Sequence, residues 1–457
     1  MILALFTMTA VNSCKTGREA QFTGADNEVI LMTLDPGHFH AALVQRTMYP
    51  QVNPVVFVYA PEGNDLNLHL SRIEGFNTRA DNPTNWILEI YRGDDFFERM
   101  IAERKGNVMI TAGNNRLKTE YIKRAVEAGF NVLADKPMVI NTQNFELLKQ
   151  AFETAEQNSV LLYDIMTERS AITNVLQREF SLLSEVFGTL EKGTPDNPSV
   201  VLEGVHHFFK YVSGSRLRRP TWYFDVEQQG EGIVDVTTHL VDLVQWKCFP
   251  NVILSPSDVN ISSARRWTTD MTIEQFTAVT AHPDFPDYLR KDVRDDTLRV
   301  FSNGEINYSL KGIHARVTAI WNYVAPEGGD DTFFSLMRGT KANLVIRQGA
   351  EQGFRPVLYI EPVGNVDLVA FEKTLTDNMP KIHANYPGVG LNKVETGWEV
   401  VIPQHFFIGH EAHFGQVLER FLQYLVDGKL PDWEVPNMIT KYYTIIRALE
   451  IAKRNSN

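Results

Sequence analysis

Apolar residues gather in short runs at 29–34, 54–59, 107–112, 130–134 and 159–164, with polar, helix-prone stretches between them. Runs of this length suit strands buried on both faces, and their alternation with helices specifies a parallel, doubly wound sheet. Residues 118–128 have the amphipathic spacing of a helix, closed by Gly129 in the helix-ending position. Residues 64–104 read as one long helix-prone connection with loop signals at Asp81-Asn82-Pro83 and Gly93-Asp94-Asp95, which makes 107–112 the third strand. Beyond about residue 195 the pattern changes to alternating polarity, at 199–209, 298–310, 312–323, 333–337, 343–347 and 357–361. Such strands build a large, mainly antiparallel sheet with one covered face. The stretches 414–426 and 439–453 have helical amphipathic spacing.

The expected fold is therefore α/β, a Rossmann-like doubly wound parallel sheet followed by an α/β domain on an open, mainly antiparallel sheet. The expected division is a leader and tether over 1–27, a first domain over 28–165 and a substrate-binding and oligomerisation domain over 166–457. A chain of 457 residues is too long for one comfortable core, which agrees with two domains. The uncovered face of the second sheet is a natural surface for a homo-oligomer.

A net charge of -12 without a basic stripe argues against nucleic acid as partner. The short apolar N-terminus ending in Val11-Asn12-Ser13-Cys14 suits a signal segment and resembles a bacterial lipoprotein processing site, with Cys14 lipidated. On that reading the protein is exported and meets a membrane only through the lipid anchor; without a functional leader it is cytoplasmic. Cys248 is the one other cysteine, so no disulfide framework or cysteine zinc motif exists, and Cys248 reads as a core residue.

Asp135-Lys136-Pro137 follows the apolar run 130–134 and places an ammonium at the end of a buried strand. In open α/β sheets ligands bind beyond the carboxyl ends of the strands. A second signal is the Gly-rich opening Gly230-Glu231-Gly232 followed by Asp235 and His239, which share one face if the segment is helical. The pair is open to two readings, a bridge on a helix surface or an acid–base unit.

These two motifs and their order resemble the glucose-fructose oxidoreductase, inositol dehydrogenase and MocA family, whose members carry Glu-Lys-Pro and Gly-Gly-x-x-x-Asp-x-x-x-His. The segments beginning at Gly113-Asn114-Asn115 and at Arg338-Gly339-Thr340 fit the same pattern less specifically. The resemblance implies a nicotinamide-dependent oxidoreductase acting on a sugar, cyclitol or related polyol held between the domains. It implies His239 as general base, Asp235 as its assistant or a substrate contact, and Lys136 as the donor to the reacting hydroxyl. Cofactor contacts would come from Asp35, Gly37, His38, Phe39, Glu62, Gly113, Asn114, Asn115 and Lys136. Arg169 falls where the family often has an arginine facing substrate or cofactor, and Trp222 joins Asp235 and His239 as a candidate substrate contact; the aromatics and arginines around Trp222 equally suit a packed loop.

Two departures stand out. The phosphate turn reads Asp35-Pro36-Gly37-His38-Phe39-His40 and keeps only the middle glycine, with a carboxylate where an anion would bind. Only Glu62 is placed to meet the adenosine ribose, and the absence of an adjacent arginine leans towards NAD over NADP. The alternatives are a lyase or glycoside-cleaving enzyme that uses tightly bound NAD transiently, and a sugar-binding protein that has lost the cofactor. The histidine groups His38/His40, His206/His207 and His405/His410/His413 are read as satisfied or substrate-contacting, with no metal expected; neighbouring strand residues point to opposite faces, which disfavours joint chelation by His206 and His207.

Overall fold

The computed structural model describes residues 22–212, 215–364 and 366–455, so Cys14 lies outside the described residues. Six strands, β1 (Leu31–Leu34), β2 (Val55–Ala60), β3 (Ile87–Arg92), β4 (Val108–Thr111), β5 (Asn131–Asp135) and β6 (Leu162–Ile165), form one parallel sheet. Its order is β3-β2-β1-β4-β5-β6, the doubly wound arrangement expected from the apolar runs. Every residue of β1, β4, β5 and β6 is buried. Helices α1 (His40–Leu43), α2 (Asn64–Thr78), α3 (Phe96–Glu103), α4 (Lys118–Glu127) and α5 (Thr142–Asn158) connect these strands. Gly129 follows α4 with φ +82°, a conformation that costs a residue with a Cβ, and so ends the helix as its sequence position suggested.

One expectation is corrected. Residues 64–104 are not a single connection: they contain β3 between α2 and α3, so 108–111 is the fourth strand. The strand carries little hydrophobic signal because it lies at the sheet edge, with Ile87 56% and Ile90 39% exposed.

After α6 (Ile172–Ser181) the chain builds a ten-stranded mixed sheet. Its strands are β7 (Val200–Phe209), β10 (Val259–Met271), β11 (Val293–Arg294), β12 (Thr297–Leu310), β13 (Ile313–Val324), β14 (Thr332–Arg338), β15 (Ala342–Gln348), β16 (Val357–Pro362), β17 (Gly390–Val394) and β18 (Gly397–Val401). Between β7 and β10 the small ribbon β8 (Tyr211–Val212) and β9 (Ser215–Arg216) stands apart. Among the described residues only the β7–β13 pairing is parallel in the large sheet. Along β12 buried residues recur at nearly every second position, which marks one covered face. That face packs on α7 (Val236–Cys248) and α11 (Glu434–Asn455) at one end of the sheet. At the other end it packs on α6 and on α9 (Leu368–His383). Helices α8 (Ile273–Thr280) and α10 (His410–Asp427) complete the chain. No helix among the described residues is long and apolar enough to cross a membrane.

A buried ionic network locks β6, α7 and α11 together. Arg169, just after β6, bonds Asp242 of α7 through Nε and Nη2 at 2.7 Å each and Glu434 of α11 at 2.8 and 3.1 Å. Lys441 adds bonds to Asp164 at 2.7 Å and to Asp242 at 2.9 Å. Burial alone would raise Asp242, but Arg169 and Lys441 hold it well below the usual carboxylate range. The network fixes α7, and α7 carries the candidate chemistry.

Candidate active site

The parallel sheet reverses its order between β1 and β4, and a cleft of about 490 Å³ opens beyond the strand ends towards the second sheet. Lys136 enters it from the end of β5, ahead of a cis peptide to Pro137. Asp235 enters from the start of α7, where it is the N-cap residue. The Lys136 ammonium donates to Asp235 Oδ1 at 2.6 Å, and both side chains are about nine-tenths buried. The second oxygen of Asp235 accepts from Gln229 Nε2 at 3.2 Å. The carboxylate therefore bonds the lysine and Gln229, since an N-cap residue lies outside the regular helical face that the four-residue spacing assumed.

His239 sits one turn further along α7 and lines the same cleft, with its Nδ1 buried and free of any hydrogen bond. Burial, reinforced by the Lys136 charge, pushes its pKa well below the usual imidazole value. It is neutral at physiological pH and has a nitrogen lone pair to offer. An ammonium that stabilises a developing alkoxide beside a neutral imidazole that takes its proton is a competent pair for acid–base chemistry on a hydroxyl.

The far wall belongs to the second sheet. Arg219 is buried, with its guanidinium 4.7 Å from the Tyr223 ring centre and 4.9 Å from that of Trp321. Asp331 accepts from Lys210 at 2.6 Å and pairs with His207 at 2.9 Å and His206 at 3.4 Å. Adjacent strand histidines thus share one carboxylate, contrary to the strand rule, because Asp331 precedes β14 just beyond the last β7–β14 pair and reaches both across the strand end. Aromatic faces beside fixed charges suit a polyhydroxylated ligand. Arg219 and the His206/His207 pair were noticeable in the sequence; Lys210 and Asp331 were not, since a lone lysine and an acid in a loop carry no periodic signal.

The turn expected to hold pyrophosphate is built differently. Asp35 has φ +46°, and its carbonyl accepts from Gly37 N at 2.8 Å, while His38 N donates to Ala112 O at 3.0 Å. Two N–H groups of the turn, those of Gly37 and His38, are thus spent on the chain itself. A Cβ on Gly113 would lie 2.1 Å from Asp35 O, so that glycine serves contact between the loops after β1 and β4. A Cβ on Gly37 would meet Asp65 Oδ2 at 3.0 Å and Trp222 Cζ2 at 3.1 Å, so the space above it is taken. Burial and the neighbouring Asp65 carboxylate raise Asp35 to about 6. With spent donors, two carboxylates and an α1 of only four residues, this turn does not fit a dinucleotide pyrophosphate.

Several candidate contacts are relocated accordingly. Trp222 packs on Gly37 and donates to Asp65 Oδ2 at 2.7 Å instead of lining the cleft. Arg169 is tied up in the buried network, where two carboxylates consume its guanidinium. Glu62 is largely exposed and pairs with Arg92 at 3.0 Å. Asn114 donates to Gln228 at 2.7 Å and Asn115 to Gln229 O at 2.7 Å, contacts that join the two halves. Of the cofactor candidates, His38, Phe39, Gly113, Asn115 and Lys136 border the cleft; Asp35, Gly37, Glu62 and Asn114 do not.

A doubly wound sheet joined to a large mixed sheet, with its charged cleft at the junction, defines a two-sheet α/β protein of the oxidoreductase fold. Residues 176–453 match the family model described as "Putative oxidoreductase C terminal domain", and the chain belongs to that family. A solved protein from Parabacteroides merdae, described as a "putative oxidoreductase", is 59% identical, with 95% of this chain and all of that one covered and a TM-score of 0.93. A levoglucosan dehydrogenase solved with NADH and L-sorbose shares the fold at 13% identity and a TM-score of 0.58, over 93% of this chain and 97% of that one. A 3-ketoreductase from Actinomadura kijaniata solved with NADP and TDP-benzene shares it at 14% and 0.55, over 92% and 97% of the two chains. No curated protein matches the sequence.

Proposed function

We propose that this chain is an oxidoreductase of the glucose-fructose oxidoreductase, inositol dehydrogenase and MocA type that acts on a sugar or polyol. The observation that carries the reading is the Lys136–Asp235 pair, which brings a strand end of one sheet and a helix start beside the other within 2.6 Å in a cleft that also holds His239. In this reading a substrate hydroxyl lies against Lys136, its proton passes to the neutral His239, and Asp235 aims the ammonium. The L-sorbose of one structural neighbour supports the substrate class, and the nicotinamide cofactors of two, NADP in one and NADH in the other, support a nicotinamide cofactor. Because the turn after β1 does not seat a pyrophosphate, no hydride step is assigned to residues of this chain. The same observation favours a second reading, a reaction without net redox that uses a tightly held cofactor or none.

The test is turnover of a panel of sugars and polyols with and without added NAD or NADP, for the wild type and His239→Ala. Reduced cofactor accumulating with a polyol supports the first reading; turnover independent of added cofactor supports the second. His239→Ala is expected to lose at least about 100-fold in turnover. Unchanged turnover removes His239 from the mechanism under either reading.

A further inference from the structure

We propose that His38, His40 and Asp135 bind a divalent transition-metal ion on the wall of the cleft beside Lys136. One donor atom from each of the three lies within 4.8 Å of the other two. Both imidazoles turn Nδ1 towards the same carboxylate oxygen, Asp135 Oδ2, at 2.9 Å from His40 and 3.7 Å from His38. Tetrahedral ligands at about 2.1 Å from a metal stand about 3.4 Å apart, so these two distances already bracket the required spacing. Small side-chain rotations complete the site.

A plain structural reading, a histidine bonded to an aspartate, accounts for His40 and Asp135 alone. It leaves His38 Nδ1 buried with no hydrogen-bond partner among the described residues, aimed at a carboxylate too far away to bond. A buried polar atom left in that state is costly, and a metal ion satisfies it. The donors stand on fixed backbone: His38 is held by its N–H bond to Ala112 O, His40 opens α1, and Asp135 ends the buried strand β5. Lys136 adds no uncompensated positive charge at the site, because Asp235 pairs with it at 2.6 Å.

Two imidazoles and one carboxylate select zinc, iron(II), cobalt(II) or manganese(II) over calcium and magnesium, which prefer all-oxygen sites. Three protein ligands leave coordination positions open, and all three residues border the cleft, so those positions face the space where a ligand oxygen would lie. The altered turn after β1 thus acquires a purpose: its two histidines are metal ligands where related turns would hold phosphate. The site is independent of the substrate reading given above.

The test uses the full-length protein stripped with a chelator and titrated with Co²⁺. The wild type is expected to develop visible ligand-field bands at about one equivalent, abolished by Zn²⁺, and X-ray absorption of the zinc form is expected to count two imidazole ligands. His38→Ala and Asp135→Asn, with unfolding transitions like that of the wild type, are expected to bind Co²⁺ at least about 100-fold more weakly, while His282→Ala on the exposed surface binds as the wild type does. Absence of the bands, a zinc site without imidazoles, or full affinity in the folded His38→Ala protein overturns the proposal. The spectroscopic readings need only the wild type, so a variant that fails to fold does not leave the question open.

Discussion

Replacing Arg169 with methionine separates a structural arginine from a substrate-facing one. The guanidinium makes four charged hydrogen bonds, two to Asp242 at 2.7 Å and two to Glu434 at 2.8 and 3.1 Å, and is 4% exposed. In its absence Asp242 keeps Lys441 at 2.9 Å, but among the described residues Glu434 keeps only the Tyr163 hydroxyl at 3.4 Å. Removing one partner of a buried pair costs about 3–5 kcal/mol, and the surviving Lys441 contact places this case near the lower end at neutral pH. Burial already raises the Glu434 pKa in the intact network, and loss of Arg169 raises it further. A native carboxyl with a raised pKa gives stability that is present at low pH and lost as pH rises through that pKa. The destabilisation therefore shrinks on acidification, by up to about 1.4 kcal/mol per pH unit below the variant's Glu434 pKa. Urea unfolding of both proteins, followed by circular dichroism near pH 7.5 and pH 5, measures it. A variant within about 1 kcal/mol of wild type near pH 7.5 would refute the structural assignment, most decisively if it had lost turnover instead.

Further outcomes follow from the altered turn and from buried imidazoles. Trp222→Ala opens the space above Gly37 and removes the donor to Asp65, so fluorescence titration is expected to show tighter NAD(H) or NADP(H) binding than in the wild type; equal or weaker binding would show that the indole does not obstruct the cofactor. His69 on α2 is 1% exposed, and burial, with a smaller contribution from Arg72, lowers its pKa to about 3. Its contribution is intact above pH 6.5 and is lost as pH falls towards 3, about 2 kcal/mol by pH 5, so His69→Gln should flatten the acid limb of a stability–pH curve; an unchanged slope would count against it.

The strands buried on both faces were legible because their apolar residues stand together, as at β5 with Val132, Leu133 and Ala134 buried in a row. Edge strands were not. The solvent face of β3 hides its alternation, and β10 begins with Asn260, Ser262 and Ser263 while only Ala264 and Met271 are fully buried along its length. In the site, Lys136, Asp235 and His239 were legible from motif and order, and the structure brings them to one cleft. The sequence position of Arg169 suggested a cleft contact because the residues that neutralise it, Asp242 and Glu434, lie 73 and 265 positions away. Trp222 was misplaced for the same reason: its partner Asp65 is 157 residues distant. The missing glycines of the phosphate turn were visible, but the convergence of His38 and His40 on Asp135 depends on the β1-β4-β5 neighbourhood, which only the folded sheet displays.

The cleft holding Lys136, Asp235 and His239 is the place proposed for reaction of a sugar or polyol. A crystal structure of the protein with a bound polyol tests it most directly. One hydroxyl is expected within hydrogen-bonding distance of both Lys136 Nζ and a ring nitrogen of His239, with the rest of the ligand against Arg219 and Trp321. A polyol bound elsewhere, or in the cleft with no oxygen near Lys136, would contradict it.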